Sequence, residues 1–184
     1  MKRLALCPIL LIVGCGSNTQ DFFPLAEGNV WNYVVKHDGD TAYQELRVVG
    51  RSAVGPHNGW LLESDMGDSR LAWDGERLLA AEMAGVRYSP PIPIYAPDGE
   101  RWSGVVRTAG TLHEATAAVA TSNEKLDVAG RPHQTVKCVL TLDSGDGPVQ
   151  LTTWFFEGLG ILKQVQRSGP LLTRNRRIDF VSGP

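Results

Sequence analysis

Turn-forming residues interrupt this chain every eight to twelve positions, a rhythm that leaves room for strands and for little else. Glycine, aspartate, asparagine and proline make the breaks, and the runs between them are rich in valine, threonine, tryptophan, tyrosine and phenylalanine. Strands are predicted over about 30–36, 43–49, 60–64, 70–73, 78–82, 86–88, 104–108, 124–128, 135–142, 149–156, 161–166 and 176–181. Short turns such as Asp38-Gly39-Asp40, Gly67-Asp68-Ser69 and Asp74-Gly75 favour hairpins. Short connections in turn imply an antiparallel meander, so the fold class expected is mainly β, one sheet with little helix.

Two stretches resist that reading. Residues 112–120 suit a helix through their alanines and a strand through their threonines and Val119, and both remain open. Residues 90–97 hold four prolines with Ile92, Ile94 and Tyr95; proline donates no ladder hydrogen bond, so a stiff apolar loop is expected there. A weak echo links Glu27, Gly28 and Trp31 to Asp98, Gly99 and Trp102, either two similar hairpin openings or a duplication.

The first residues carry an address. Met1, Lys2 and Arg3 lead into an apolar run, Leu4 to Val13, which ends at Gly14 and Cys15. This is the layout of a secretory signal, and the run is about half the ~20 residues that a membrane-spanning helix needs. Ile12-Val13-Gly14-Cys15 resembles the lipobox of bacterial lipoproteins. The resemblance implies cleavage between Gly14 and Cys15, a diacylglyceryl thioether on Cys15 and an amide-linked acyl chain such as palmitate. One acyl chain anchors marginally at ~0.8 kcal/mol per buried methylene, whereas two or three hold. The expected organisation is a signal peptide over 1–14, a lipidated cysteine with a short spacer over 15–21, and one β-rich domain over 22–184. Gly16 is not the aspartate read as inner-membrane retention, which favours the outer membrane, facing the periplasm.

Cleavage leaves about 170 of the 184 residues, enough for one domain that buries ~70% of its unfolded surface. It also removes Lys2 and Arg3, so the body is somewhat more acidic than the formal charge of −2, and no general attraction to nucleic acid follows. With Cys7 discarded and Cys15 acylated, Cys138 has no disulfide partner within the chain. It shares an alternating face with Val136, Leu140 and Leu142, as a buried and inert thiol does.

Catalytic signatures are missing. His37, His57, His113 and His133 are scattered, and His113-Glu114 lacks the second histidine of a zincin because position 117 is Ala117. No nucleophile elbow, phosphate loop or paired-cysteine motif occurs. Asp143 and Asp146 suit a hairpin turn better than a calcium loop. No enzyme activity, metal or cofactor is expected.

Three further segments extend the resemblance. Phe23-Pro24-Leu25 with Gly28, Trp31 and Tyr33, the Val128-Ala129-Gly130 turn leading to Val136 and Cys138, and Trp154-Phe155-Phe156 followed by Gly158, Leu159, Gly160, Ile161 and Lys163 resemble motifs of an uncharacterised family of bacterial lipoproteins; Pro97 to Trp102 fits the middle of that pattern. The Arg131-Pro132 that follows Gly130 departs from the aromatic residue that the family often places there. The resemblance implies a strongly curved sheet, a half-barrel or open barrel, related to the carriers and receptors that localise lipoproteins. It implies a membrane-anchored, non-enzymatic envelope protein whose curved sheet holds an apolar ligand or acyl chain. Trp31, Tyr33, Trp102, Trp154 and Phe156 are the candidate groove lining, although a sheet of this size also needs such rings to fill a sealed core, which is the default reading. The alternative is a scaffolding module that meets an envelope protein or anionic headgroups through Arg174, Arg176 and Arg177, charges that would equally protect an exposed strand edge.

Overall fold

The computed structural model describes residues 22–145, 147–169 and 174–184; the signal peptide, Cys15 and the spacer lie outside them. Twelve strands follow in order: β1 (Val30–His37), β2 (Asp40–Val54), β3 (His57–Ser64), β4 (Ser69–Asp74), β5 (Arg77–Met83), β6 (Val86–Tyr95), β7 (Glu100–Thr108), β8 (Thr111–Val128), β9 (Arg131–Asp143), β10 (Pro148–Phe156), β11 (Gly160–Ser168) and β12 (Arg174–Ser182). Each pairs antiparallel with its sequence neighbours, and β1 also pairs with β12, so the meander closes as a barrel. This corrects the expected half-barrel or open barrel. The seam runs from Asn32 opposite Ser182 to His37 opposite Arg176, and it removes both edges that an open sheet would leave unpaired.

Residues 112–120 belong to β8. Ala115, Ala117 and Val119 are buried while Thr116, Ala118 and Ala120 are exposed, the two-residue period of a strand. Ladders to β7 and β9 on either side override the helical preference of alanine, and Ala117 stands opposite Trp102, so a small side chain faces a large one. The expected proline loop is also corrected, since β6 continues to Tyr95. Its ladder to β7 covers only Arg87, Tyr88 and Ser89, so the prolines begin where one side of the strand has no partner to receive an N–H.

The inside is apolar. Trp31 and Tyr33 of β1, Val48 of β2, Leu78 and Ala80 of β5, Trp102 of β7, Cys138, Leu140 and Leu142 of β9 and Phe155 of β10 share one core. The outside carries Glu45 and Arg47, Arg101, Glu114, Thr141 and Asp143. A membrane-spanning barrel has the opposite arrangement, an apolar belt outside and a polar lumen.

The two ends of the barrel differ. The turns after β1, β3, β5, β7, β9 and β11 lie at one end; those after the even-numbered strands lie at the other, with both ends of the described chain. At that second end Phe23 is fully buried, 4.8 Å from the Trp31 ring and 6.5 Å from Phe155, and Phe22 lies 5.9 Å from Tyr95. The chain thus plugs the end at which it enters. The far half of the β2–β3 hairpin lies over the outer wall, where Val54 packs on Ala72 and Leu79, on the opposite face of β4 and β5 from Leu71 and Ala80. Gly59 permits this approach: a β-carbon there would stand 2.4 Å from the Leu71 carbonyl oxygen.

Candidate functional site

The five aromatic residues expected to line one groove are divided between two faces. Trp31 and Tyr33 are buried inside the barrel, where the Trp31 indole donates to the Leu159 carbonyl at 2.6 Å. Trp102 is inside too, donating to the Pro90 carbonyl at 3.1 Å. Trp154 and Phe156 pack with Leu126 and Leu162 in a separate cluster. There the Trp154 indole donates to Glu124 at 3.2 Å, Lys137 reaches the other carboxylate oxygen of Glu124 at 2.7 Å, and the Lys163 ammonium lies 4.8 Å from the Trp154 ring. Hydrogen bonding from Lys137 leads the causes that hold the Glu124 carboxyl below its ordinary range.

The concavity instead opens at the end opposite the plug. A cavity of about 390 Å³ lies where β1, β2, β11 and β12 end or begin, beside the β3–β4 turn. Val35, Ala42 and Met66 give it apolar wall, and Gln44, Asp65, Gln166, Asn175 and Arg176 give it polar groups. Its size falls near the lower end of the ~300–1,000 Å³ of small-molecule sites. Gln44 is nearly inaccessible; with its amide oxygen turned to the β3–β4 turn it accepts from the backbone N–H of Met66 at 2.9 Å and of Asp65 at 3.2 Å, which fixes that wall.

Arg176 carries the charge of this mouth. It stands opposite His37 of β1 and Gln166 of β11 and forms no ion pair among the described residues. Desolvation holds its guanidinium below its ordinary range, though arginine stays charged at any working pH. A partly desolvated guanidinium that is not ion-paired among the described residues, although Asp65 lines the same cavity, is a donor fork for an incoming anion. Arg177, one residue on, leaves the cavity and binds Asp179 at 2.7 Å. The side chain of Arg174 lies outside the described residues. Because β12 is paired on both sides, these arginines do not protect an exposed edge.

Of the remaining candidates, Cys138 is buried in the core beside the Thr121 hydroxyl at 3.5 Å, and burial pushes its thiol up to about 11. His57 lies 3.8 Å from Asp74, and His133 packs edge-on against Phe156 at 5.0 Å. Among the described residues no three histidine, cysteine or carboxylate side chains converge as metal ligands. Asp143 accepts from the Gly145 N–H in the β9–β10 turn, and Asp146 lies outside the described residues.

Sequence reasoning singled out Arg176 but missed Val35, Gln44, Asp65, Met66 and Gln166. They come from four separate segments, and only the register of a closed barrel makes them neighbours.

These features define a class: a closed twelve-stranded up-and-down barrel with an apolar interior, a polar exterior, one plugged end and one open end. Among solved structures a candidate lipoprotein from Parabacteroides distasonis has a similar overall fold, at 11% identity and a TM-score of 0.52 over 89% of this chain and 98% of that one. A candidate exported protein with a YmcC-like fold from Bacteroides fragilis matches at 12% identity and a TM-score of 0.50, again over 89% and 98%. The hypothetical lipoprotein YmcC of Escherichia coli aligns at 14% identity and a TM-score of 0.43 over 90% of this chain and 88% of that one. The fold of this chain is thus like that of the Bacteroides fragilis protein, which is described as YmcC-like. No protein-family model and no curated protein matches it.

Proposed function

We propose that this chain is a lipoprotein of the bacterial envelope, anchored through Cys15 at the outer membrane and facing the periplasm, whose open barrel end holds a small amphipathic anion. The observation that carries the reading is Arg176, a partly desolvated guanidinium without an ion-pair partner among the described residues, in a cavity that also offers apolar wall. The lipobox-like Ile12 to Cys15 supports the anchor, and the two structures of like fold are described as a candidate lipoprotein and a candidate exported protein. The ligand is smaller than a carrier's acyl-chain cargo, because aromatic side chains fill the interior and leave space at the mouth.

Labelled palmitate should enter the protein in cells and fail to enter Cys15→Ser, which should leave the membrane fraction. Native mass spectrometry of the full chain, released from membranes in a nonionic detergent, should show a bound anionic amphiphile that is lost in Arg176→Gln. A ligand retained at full occupancy in Arg176→Gln would remove the mouth from consideration. Arg176-dependent crosslinking to one envelope protein, with no small ligand, would replace this reading with the scaffolding one.

A further inference from the structure

A second charged row lies on the outer wall, apart from the mouth. Arg70 of β4, Glu82 of β5, Arg87 of β6 and Arg107 of β7 stand directly opposite one another across four adjacent strands. They border a cleft of about 290 Å³, whose other walls include Ala53, Ala81, Tyr88 and Val105. Ala53 comes from the β2–β3 hairpin laid over the barrel, so the cleft owes one wall to that fold-over.

Glu82 organises the row. It is only 5% exposed, with Arg70 Nε 3.1 Å from one carboxylate oxygen and Arg87 Nε 3.1 Å from the other. Arg87 is aligned for a hydrogen bond; Arg70 Nε is sealed from solvent but misaligned, which leaves a buried donor without an acceptor. Arg107 pairs with no carboxylate among the described residues and faces Arg87 directly. Like charges opposite each other on a sheet repel. Two guanidiniums thus share one carboxylate and a third has none among the described residues, so the row keeps two positive charges more than its own residues neutralise.

We propose that this cleft is a phosphate-binding site, built for the dianionic end of a phosphomonoester. Such a group carries about −1.5 to −2 charges at neutral pH and three acceptor oxygens, which match the excess charge and the donors of Arg87, Arg107 and Arg70. Glu82 is a positioning residue, holding two of the guanidiniums at fixed spacing. The proposal is independent of the mouth and of Arg176.

The test uses the full chain as the Cys15→Ser variant in a nonionic detergent at low salt, titrated calorimetrically with glycerol 3-phosphate. Saturable binding is expected, weakened at least about tenfold by Arg107→Gln and partly kept by Arg107→Lys, because lysine retains charge but not the fork. Arg107 is exposed and unpaired among the described residues, so Arg107→Gln should melt like the parent. A parallel flotation assay with vesicles of phosphatidylcholine containing phosphatidic acid distinguishes the source of the phosphate. Arg107-dependent flotation assigns a lipid headgroup, and Arg107-dependent binding of glycerol phosphate without flotation assigns a soluble phosphomonoester; either supports the site. Absence of both, or binding unaltered in Arg107→Gln, overturns it.

Discussion

Tyr33 carries its hydroxyl into the barrel interior without a hydrogen-bond partner among the described residues, and burial alone drives its phenol far above the ordinary range. Its ring packs edge-on against Phe180 at 6.3 Å across the closing seam, so the ring is what the site uses. An unpaired buried hydroxyl costs about 1–3 kcal/mol, and Tyr33→Phe removes that cost while keeping the ring. Urea unfolding should show Tyr33→Phe more stable than the parent by roughly that amount; a loss of stability would mean that the hydroxyl has found a partner. Glu124 presents the opposite situation, a carboxylate held by Lys137 and by the Trp154 indole. Its folded pKa lies below its unfolded one, so the stabilisation is full above the ordinary carboxylate range, near pH 4.3, and is lost as pH falls through the lower folded value. Glu124→Gln should therefore melt below the parent at pH 7, with the gap closing in acid. A gap that stays constant down to pH 3 would show that the charge contributes nothing.

At the scale of elements, the residues that resembled a family motif turn out to build the plugged end. Phe23 sits between the Trp31 and Phe155 rings, its carbonyl accepts from the Trp73 indole at 3.2 Å, and Gly160 lies beneath it. Gly160 has φ of +97°, and a β-carbon there would meet the Phe23 ring at 2.5 Å, so backbone and packing both demand glycine. Gly160→Ala should cost about 2 kcal/mol or more through strain and overpacking. Phe23→Ala combined with it should cost less than the two single changes added, because the ring that clashes is gone. Simple additivity in thermal melts would contradict the contact. Such motifs were legible because each is a local turn with an aromatic residue beside it. Alternation likewise placed Cys138, Leu140 and Leu142 on one buried face. What escaped was register. The division of Trp102 from Trp154, the joining of Gln44 to the β3–β4 turn and the alignment of Arg70, Glu82, Arg87 and Arg107 depend on which strand lies opposite which. Register breaks between β4 and β5, β5 and β6, and β10 and β11, which leave Ala81, Ile94 and Leu162 without a partner in the ladders, are announced by no local pattern. Closure was illegible for the same reason, since β1 and β12 lie at opposite ends of the sequence.

The whole molecule is a short cylinder with unlike ends. Strand β1, with eight residues rising ~3.3 Å each at a tilt of ~40°, gives a height of about 20 Å. The chain enters at the plugged end, so acylation of Cys15 would tether that end, while the mouth and the arginine row lie toward the other. A polar outer surface gives the wall no reason to sink into the bilayer, and the seven steps from Cys15 to Phe22 allow at most about 25 Å of slack. Both charged sites then face the aqueous space more than the headgroups of the anchoring membrane. The native thiols do not interfere with a test: Cys15 would be acylated, and Cys138, with its pKa pushed up to about 11, holds roughly one thiolate in a thousand at pH 8. A fluorophore on Asp40→Cys, at the start of β2 beside the mouth, and one on Arg131→Cys, at the start of β9 at the plugged end, would report the two ends separately. In vesicles carrying headgroup spin labels, the label at position 131 should be quenched and the label at position 40 should not. Equal quenching at both would show a barrel lying on its side, with the arginine row within reach of membrane phosphate.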